Sequence, residues 1–278
     1  MRRTVVALAV ALVAACGTAP EAAEPSASPA SASAVPAVPG IEAEAVQLRT
    51  DEAVGGRVQV RITDIGDEGF TVTAVALDSP GFAPLPATAV TAEYAPGRTI
   101  DLPTPFGAPV CSVAALPAAA RLGVVRPDGV VEDLRVPLAA EVLGRIHDRA
   151  CAGLAVTDIA DIAVTGLRDD GDALTGELGL VRRTGQQPVA VTRLDRSVLI
   201  DVVADGLPLE LAGERVGTPV SFTPATCDAH VLSEIKQPYR FPMLVVVGDD
   251  EPVPMDLPLS PGDRDLLAGL VKRVCAGR

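Results

Sequence analysis

Cys111 to Gly153 (CSVAALPAAARLGVVRPDGVVEDLRVPLAAEVLGRIHDRACAG) decides how this chain is built. From its cysteine it passes through two apolar stretches, residues 121–125 and 130–136, with Pro127-Asp128-Gly129 turning between them. It then reaches Pro137-Leu138, a helical stretch and Cys151-Ala152-Gly153. Thr226-Cys227 opens the same order a second time. Residues 243–247 (MLVVV) and 252–257 (PVPMDL) lead to Pro258-Leu259, a helical stretch and Cys275-Ala276-Gly277. The chain therefore reads as two degenerate copies of one unit.

Upstream of each first cysteine the pattern is β. Val58, Val60 and Ile62 alternate with Gln59 and Arg61, and residues 72–77 (VTAVAL) follow an Asp-Glu-Gly turn. In the second copy, residues 174–181 and 189–194 are joined by Thr184-Gly-Gln-Gln-Pro188, and 198–203 and 220–222 continue the series. Many short strands separated by Gly-, Pro- and Asp-rich turns predict a mainly β protein of two tandem immunoglobulin-like sandwiches. Each closes on a short helix. Domain 1 is expected over 46–153 and domain 2 over 154–278. In the last helix Ser260 is the expected cap, with Pro261 at the first position and Leu266, Leu267, Leu270, Val271 and Val274 as the buried stripe.

The 278 residues are 48% hydrophobic and 21% charged, which excludes a wholly disordered chain. Aromatics are only 3%, and neither Trp nor Asn occurs, so Ala, Val and Leu carry the apolar content, as in proteins of GC-rich bacterial genomes. A net charge of -13 opposes nucleic-acid binding, which needs a basic surface.

Met1-Arg2-Arg3 precedes an unbroken apolar run of 12 residues, Thr4 to Ala15, too short for the roughly 20 that span a bilayer. It fits the apolar region of a secretory signal peptide. The run ends in Val13-Ala14-Ala15-Cys16, which resembles the lipobox of bacterial lipoproteins, with Val13 in place of the commoner Leu. The resemblance implies removal of residues 1–15, acylation of Cys16 and anchoring on the extracytoplasmic face of the cell membrane. Loss of Arg2 and Arg3 would move the net charge from -13 to -15. Ala, Pro and Ser dominate the following stretch, and residues 16–45 are expected to be a tether.

An exported chain can keep disulfides. With Cys16 acylated, four cysteines remain and allow three pairings; the repeat selects Cys111–Cys151 and Cys227–Cys275. Each loop of about 40 to 50 residues makes its bond worth about 4 kcal/mol in the chain-entropy model.

Other chemistry finds little support. Cys227 with His230, and His147 with Cys151, each lack the further ligands zinc needs, so no metal or cofactor is expected. Ser233-Glu-Ile-Lys236 matches a Ser-x-x-Lys pattern, but the companion elements of such serine enzymes are missing. The acidic turns 169–172 and 249–251 lack the length and spacing of a calcium loop. No glycine-rich phosphate loop occurs, and the few aromatics give no platform for sugars.

One run stands apart. Residues 227–241 (CDAHVLSEIKQPYRF) gather charge, a histidine and two of the seven aromatics. The run is similar to a Cys-Asp-x-His-x-x-x-Glu-x-Lys pattern of exported actinobacterial proteins, a resemblance that implies lineage and no activity. Cys to Cys spans 40 positions in the first copy and 48 in the second, and five of the extra residues fall before the strand pair. Loops that lengthen between related sandwiches tend to carry function. His230, Lys236, Tyr239 and Arg240 are thus the expected partner contact, against the plainer reading of an inert crossover. The expected function is a non-catalytic binding module for an envelope protein or component. The alternative is a substrate-binding or accessory lipoprotein of a transport system, which requires a cleft shared by the two copies.

Overall fold

A computed structural model describes residues 34–276. The expected signal peptide, Cys16 and most of the expected tether lie outside the described residues. In chain order the elements are β1 (Ile41–Val46), α1 (Arg49–Val54), β2 (Arg57–Asp64), β3 (Phe70–Asp78), β4 (Thr88–Tyr94), β5 (Thr99–Pro105), β6 (Ala118–Val125) and β7 (Val131–Ala139). Then follow α2 (Glu141–Ile159), β8 (Ala160–Asp170), β9 (Ala173–Arg182), β10 (Val189–Leu194), β11 (Ile200–Ala204), β12 (Leu209–Leu211) and β13 (Arg215–Pro224). The chain ends in α3 (Ala229–Glu234), β14 (Pro242–Val247), β15 (Val253–Asp256) and α4 (Pro261–Cys275). The protein is mainly β, with three sheets among the described residues.

The first seven strands form one sheet in the order β4-β3-β6-β7-β1-β2-β5. All its pairs are antiparallel except β1 with β7, which meet in parallel at Ala43–Leu138 and Glu44–Ala139. β5 touches β3 and β4, so the sheet folds its two ends toward each other over one apolar core. β1 corrects the expected tether, which ends before Ile41 rather than at residue 45. Ile41, Ala43 and Ala45 are buried while Glu42 and Glu44 face solvent, and this alternation pairs the segment with β2 along its whole length.

The remaining strands make two four-stranded sheets, β12-β10-β14-β15 and β11-β13-β9-β8, around a second core. Phe222 and Phe241 meet edge to face at its centre, with ring centroids 5.4 Å apart.

The two helices that close the units differ. Ser260 Oγ accepts from the Asp263 N–H at 3.1 Å while Asp263 accepts from the Ser260 N–H at 2.9 Å, a reciprocal cap that starts α4. Its buried stripe is Leu267, Leu270, Val271 and Val274; Leu266 is exposed, one position off the inward face. α2 is not short. It runs 19 residues, straight through Gly153-Leu154, where the junction between units was expected. Leu143 belongs to the first core and Val156 to the second, so burial at both ends keeps the helix continuous.

Both sulfur pairs are bonded, Cys111 with Cys151 and Cys227 with Cys275, as the repeat predicts. Two disulfides fit an oxidising, extracytoplasmic compartment. No helix among the described residues is long and apolar enough to cross a membrane.

Candidate functional site

A groove of about 640 Å³ is lined from both halves of the sequence. Arg49, Thr50, Glu52 and Ala53 of α1 form one wall; Glu234, Ile235, Lys236, Gln237 and Arg240 form the other; Arg196, Ser197 and Val198 complete it.

The α1 wall is fixed by a buried carboxylate. Asp51 is fully buried and accepts from the Leu48 N–H at 3.0 Å, Arg57 Nε at 2.7 Å and Gln59 Nε2 at 2.8 Å. A buried charge is tolerable only when so paired. This also explains why Gln59, on the polar register of β2, is buried.

The opposite wall begins at the second disulfide. Asp228 caps α3, its Oδ1 accepting from the N–H groups of His230 and Val231 at 2.9 and 3.0 Å. The chain then leaves the helix and returns at Phe241, which anchors it in the core. Arg240 Nε lies 2.9 Å from both Asp256 oxygens, and its Nη1 is 3.4 Å from Gln237 Oε1. One hydrogen bond spans the groove: Gln237 Nε2 donates to the Glu52 carbonyl at 3.0 Å.

Of the four expected contact residues, Lys236 and Arg240 line this groove. His230 is exposed on α3, outside the lining. Tyr239 packs half-buried against the second core, and that burial raises its phenol above the usual range. Arg240 is shared with a neighbouring groove of about 400 Å³, where it meets Arg149 and Gly153 of α2 and Met255 of β15. The Ser233 hydroxyl donates to the His230 carbonyl at 2.9 Å.

Sequence reading missed Arg49, Glu52 and Arg196. Only the Gly55-Gly56 pair after residues 49–54 marked a short helix end there, and nothing local joins it to a segment 185 positions away. Most of the lining is exposed, and the charges on it are mixed. Such a surface suits recognition by ion pairs and hydrogen bonds.

No protein-family model matches the sequence, and no curated protein matches it. Among solved structures, the YadV chaperone is 14% identical, covering 79% of this chain and all of its own, with a TM-score of 0.24. Red sea bream transglutaminase is 8% identical over 79% of this chain and 31% of its own, also at 0.24. A protein of unknown function from Porphyromonas gingivalis W83 is 13% identical over 78% and 98%, at 0.21.

Proposed function

We propose that this protein is a lipid-anchored envelope module of two tandem immunoglobulin-like sandwiches that share the helix α2 and that it binds an envelope protein or component without catalysis. The groove between α1 and residues 234–240 is its contact surface. One observation carries the reading. In a chain of net charge -13, this groove presents Arg49, Arg196, Lys236 and Arg240 against two acids, Glu52 and Glu234. Arg196 and Arg240 are paired with Asp201 and Asp256, whereas Arg49 and Lys236 form no ion pair among the described residues. Glu52 and Glu234 are likewise unpaired among the described residues, so the groove offers two free charges of each sign and suits a partner surface of mixed, complementary charge. Tyr239 supports the wall from behind, and His230 lies at its margin.

The test places a photocrosslinker at Lys236 and, as a control, at the exposed Val131 of β7, in intact cells. Lys236 should capture a partner that Val131 does not, and Arg49→Glu with Lys236→Glu should abolish capture while leaving Tm unchanged. Equal capture from both positions, or capture that survives charge reversal, overturns the groove. Anchoring is read separately: Cys16→Ala should move the protein out of the membrane fraction.

Because residues of both copies line the groove, a solute-binding role beside a transporter is the second reading. It requires a small solute that raises Tm with concentration as mass action demands.

A further inference from the structure

We propose that the Cys111–Cys151 bond is a thiol–disulfide exchange site, with Cys111 as the attacked sulfur, Cys151 as the leaving group and His147 as the residue that steadies it. The inference is independent of what occupies the groove.

Cys111 is exposed, in the irregular segment between β5 and β6, whereas Cys151, Cys227 and Cys275 are all half-buried. That segment is held down at Gly81, whose carbonyl accepts from the Val110 N–H at 2.8 Å. A Cβ on Gly81 would stand 2.5 Å from the Ala115 Cα, so only glycine lets the two backbones come this close. Cys111 is therefore presented outward on a fixed base.

One turn before Cys151 on α2, His147 is buried, with its ring edge-on to Phe82 at 5.7 Å. Its Nε2 lies 3.2 Å from the Val110 carbonyl oxygen and 3.6 Å from Cys151 Sγ. Nδ1 lies 3.4 Å from Oδ1 of the exposed Asp148, a longer contact than Nε2 makes with the Val110 carbonyl, so the shorter contact assigns the hydrogen to Nε2. That single N–H is shared between the Val110 carbonyl and the sulfur that would bear charge when the bond opens.

An external thiolate attacks Cys111 Sγ, and the bond to Cys151 breaks with its electron pair leaving on Cys151 Sγ. The new thiolate accepts the His147 Nε2 hydrogen bond and later takes a proton from solvent. The second thiol of the same reductant then attacks the reductant sulfur of the mixed disulfide, releasing Cys111 as a thiolate. Two electrons have passed, and an extracytoplasmic dithiol has become a disulfide. A stabilised leaving thiolate speeds such exchange.

The second bond is built the other way. Cys275 Sγ faces the Thr226 carbonyl oxygen at 3.8 Å, an acceptor that disfavours a thiolate. His230, three positions after Cys227, is exposed, and its backbone N–H serves the α3 cap. Opening Cys111–Cys151 removes the covalent link between residues 106–117 and α2, the helix that contributes to both cores.

The native protein is exposed to dithiothreitol, alkylated at intervals and mapped by mass spectrometry. Cys111–Cys151 should open at least about tenfold faster than Cys227–Cys275, and His147→Phe should remove most of that advantage. His147→Gln, which keeps an N–H donor, should restore much of it, a rescue that packing alone would not produce. Equal rates for the two bonds in the natural protein, or an unchanged ratio in His147→Phe, overturns the proposal. If His147→Phe speeds the opening of Cys227–Cys275 as well, its fold has failed, and the natural ratio with the glutamine variant decides the matter.

Discussion

The two units start from one pattern, and their closing segments part company in the polar stretches. In the first, six residues lead from Cys111 to β6; in the second, the path from Cys227 to β14 holds a helix, a groove wall and Phe241. α4 ends at its cysteine, whereas α2 runs past Cys151 into β8. α4 starts from a reciprocal Ser260–Asp263 cap, and α2 starts from Ala140 with no side-chain cap. The cores differ as well: the first lies within one seven-stranded sheet, and the second is built by two four-stranded sheets.

Removing each disulfide tests how far the likeness extends. Cys111→Ser with Cys151→Ser, and Cys227→Ser with Cys275→Ser, should each cost about 4 kcal/mol, a fall in Tm of roughly ten degrees. Loop lengths of 40 and 48 separate the two by only about 0.2 kcal/mol in the chain-entropy model. Calorimetry showing one loss several times the other would break the equivalence of the units.

A smaller effect should distinguish the helices. Ser260→Ala should cost about 1 kcal/mol in denaturant unfolding, because it orphans the Asp263 N–H and removes the hydrogen bond that the Ser260 hydroxyl donates to the Asp263 carboxylate. Ala140→Ser should bring no matching gain, since Ala140 is buried and the new hydroxyl would lose water. A gain of the size lost at Ser260 would show that α2 also responds to capping.

The smallest signal is optical. The chain has two tyrosines, one per unit, and no Trp to obscure them. Burial pushes Tyr94 up to about 12, where it stacks on Phe70 at 4.8 Å, and raises Tyr239 less. An ultraviolet titration should show Tyr239 ionising first, and Tyr94→Phe should abolish the later step. A folded value above the unfolded value of 10 means that Tyr94 stabilises the fold fully below pH 10. That contribution is lost as pH rises through about 12. Both phenols ionising together near 10 would mean that the first core is open to water there.

Much of this was legible in the chain before folding was considered. Period-two runs such as Val58-Gln-Val-Arg-Ile62 announce strands because side chains alternate across a pleat. Ser260-Pro261 and the apolar stripe of α4 announce a helix because caps and stripes act within one or two turns. The repeated cysteine order selected the sulfur pairs because each copy must close on itself. The sequence by itself therefore determined element types and the covalent staples. Tertiary structure alone decided the rest. Gln59 is buried because Asp51 of α1 comes back to meet it, Gln237 reaches Glu52 across 185 positions, and α2 stays whole because two cores bury its ends. Such contacts depend on where distant segments land, and the apolar packing that lands them leaves no mark at the polar residues it brings together.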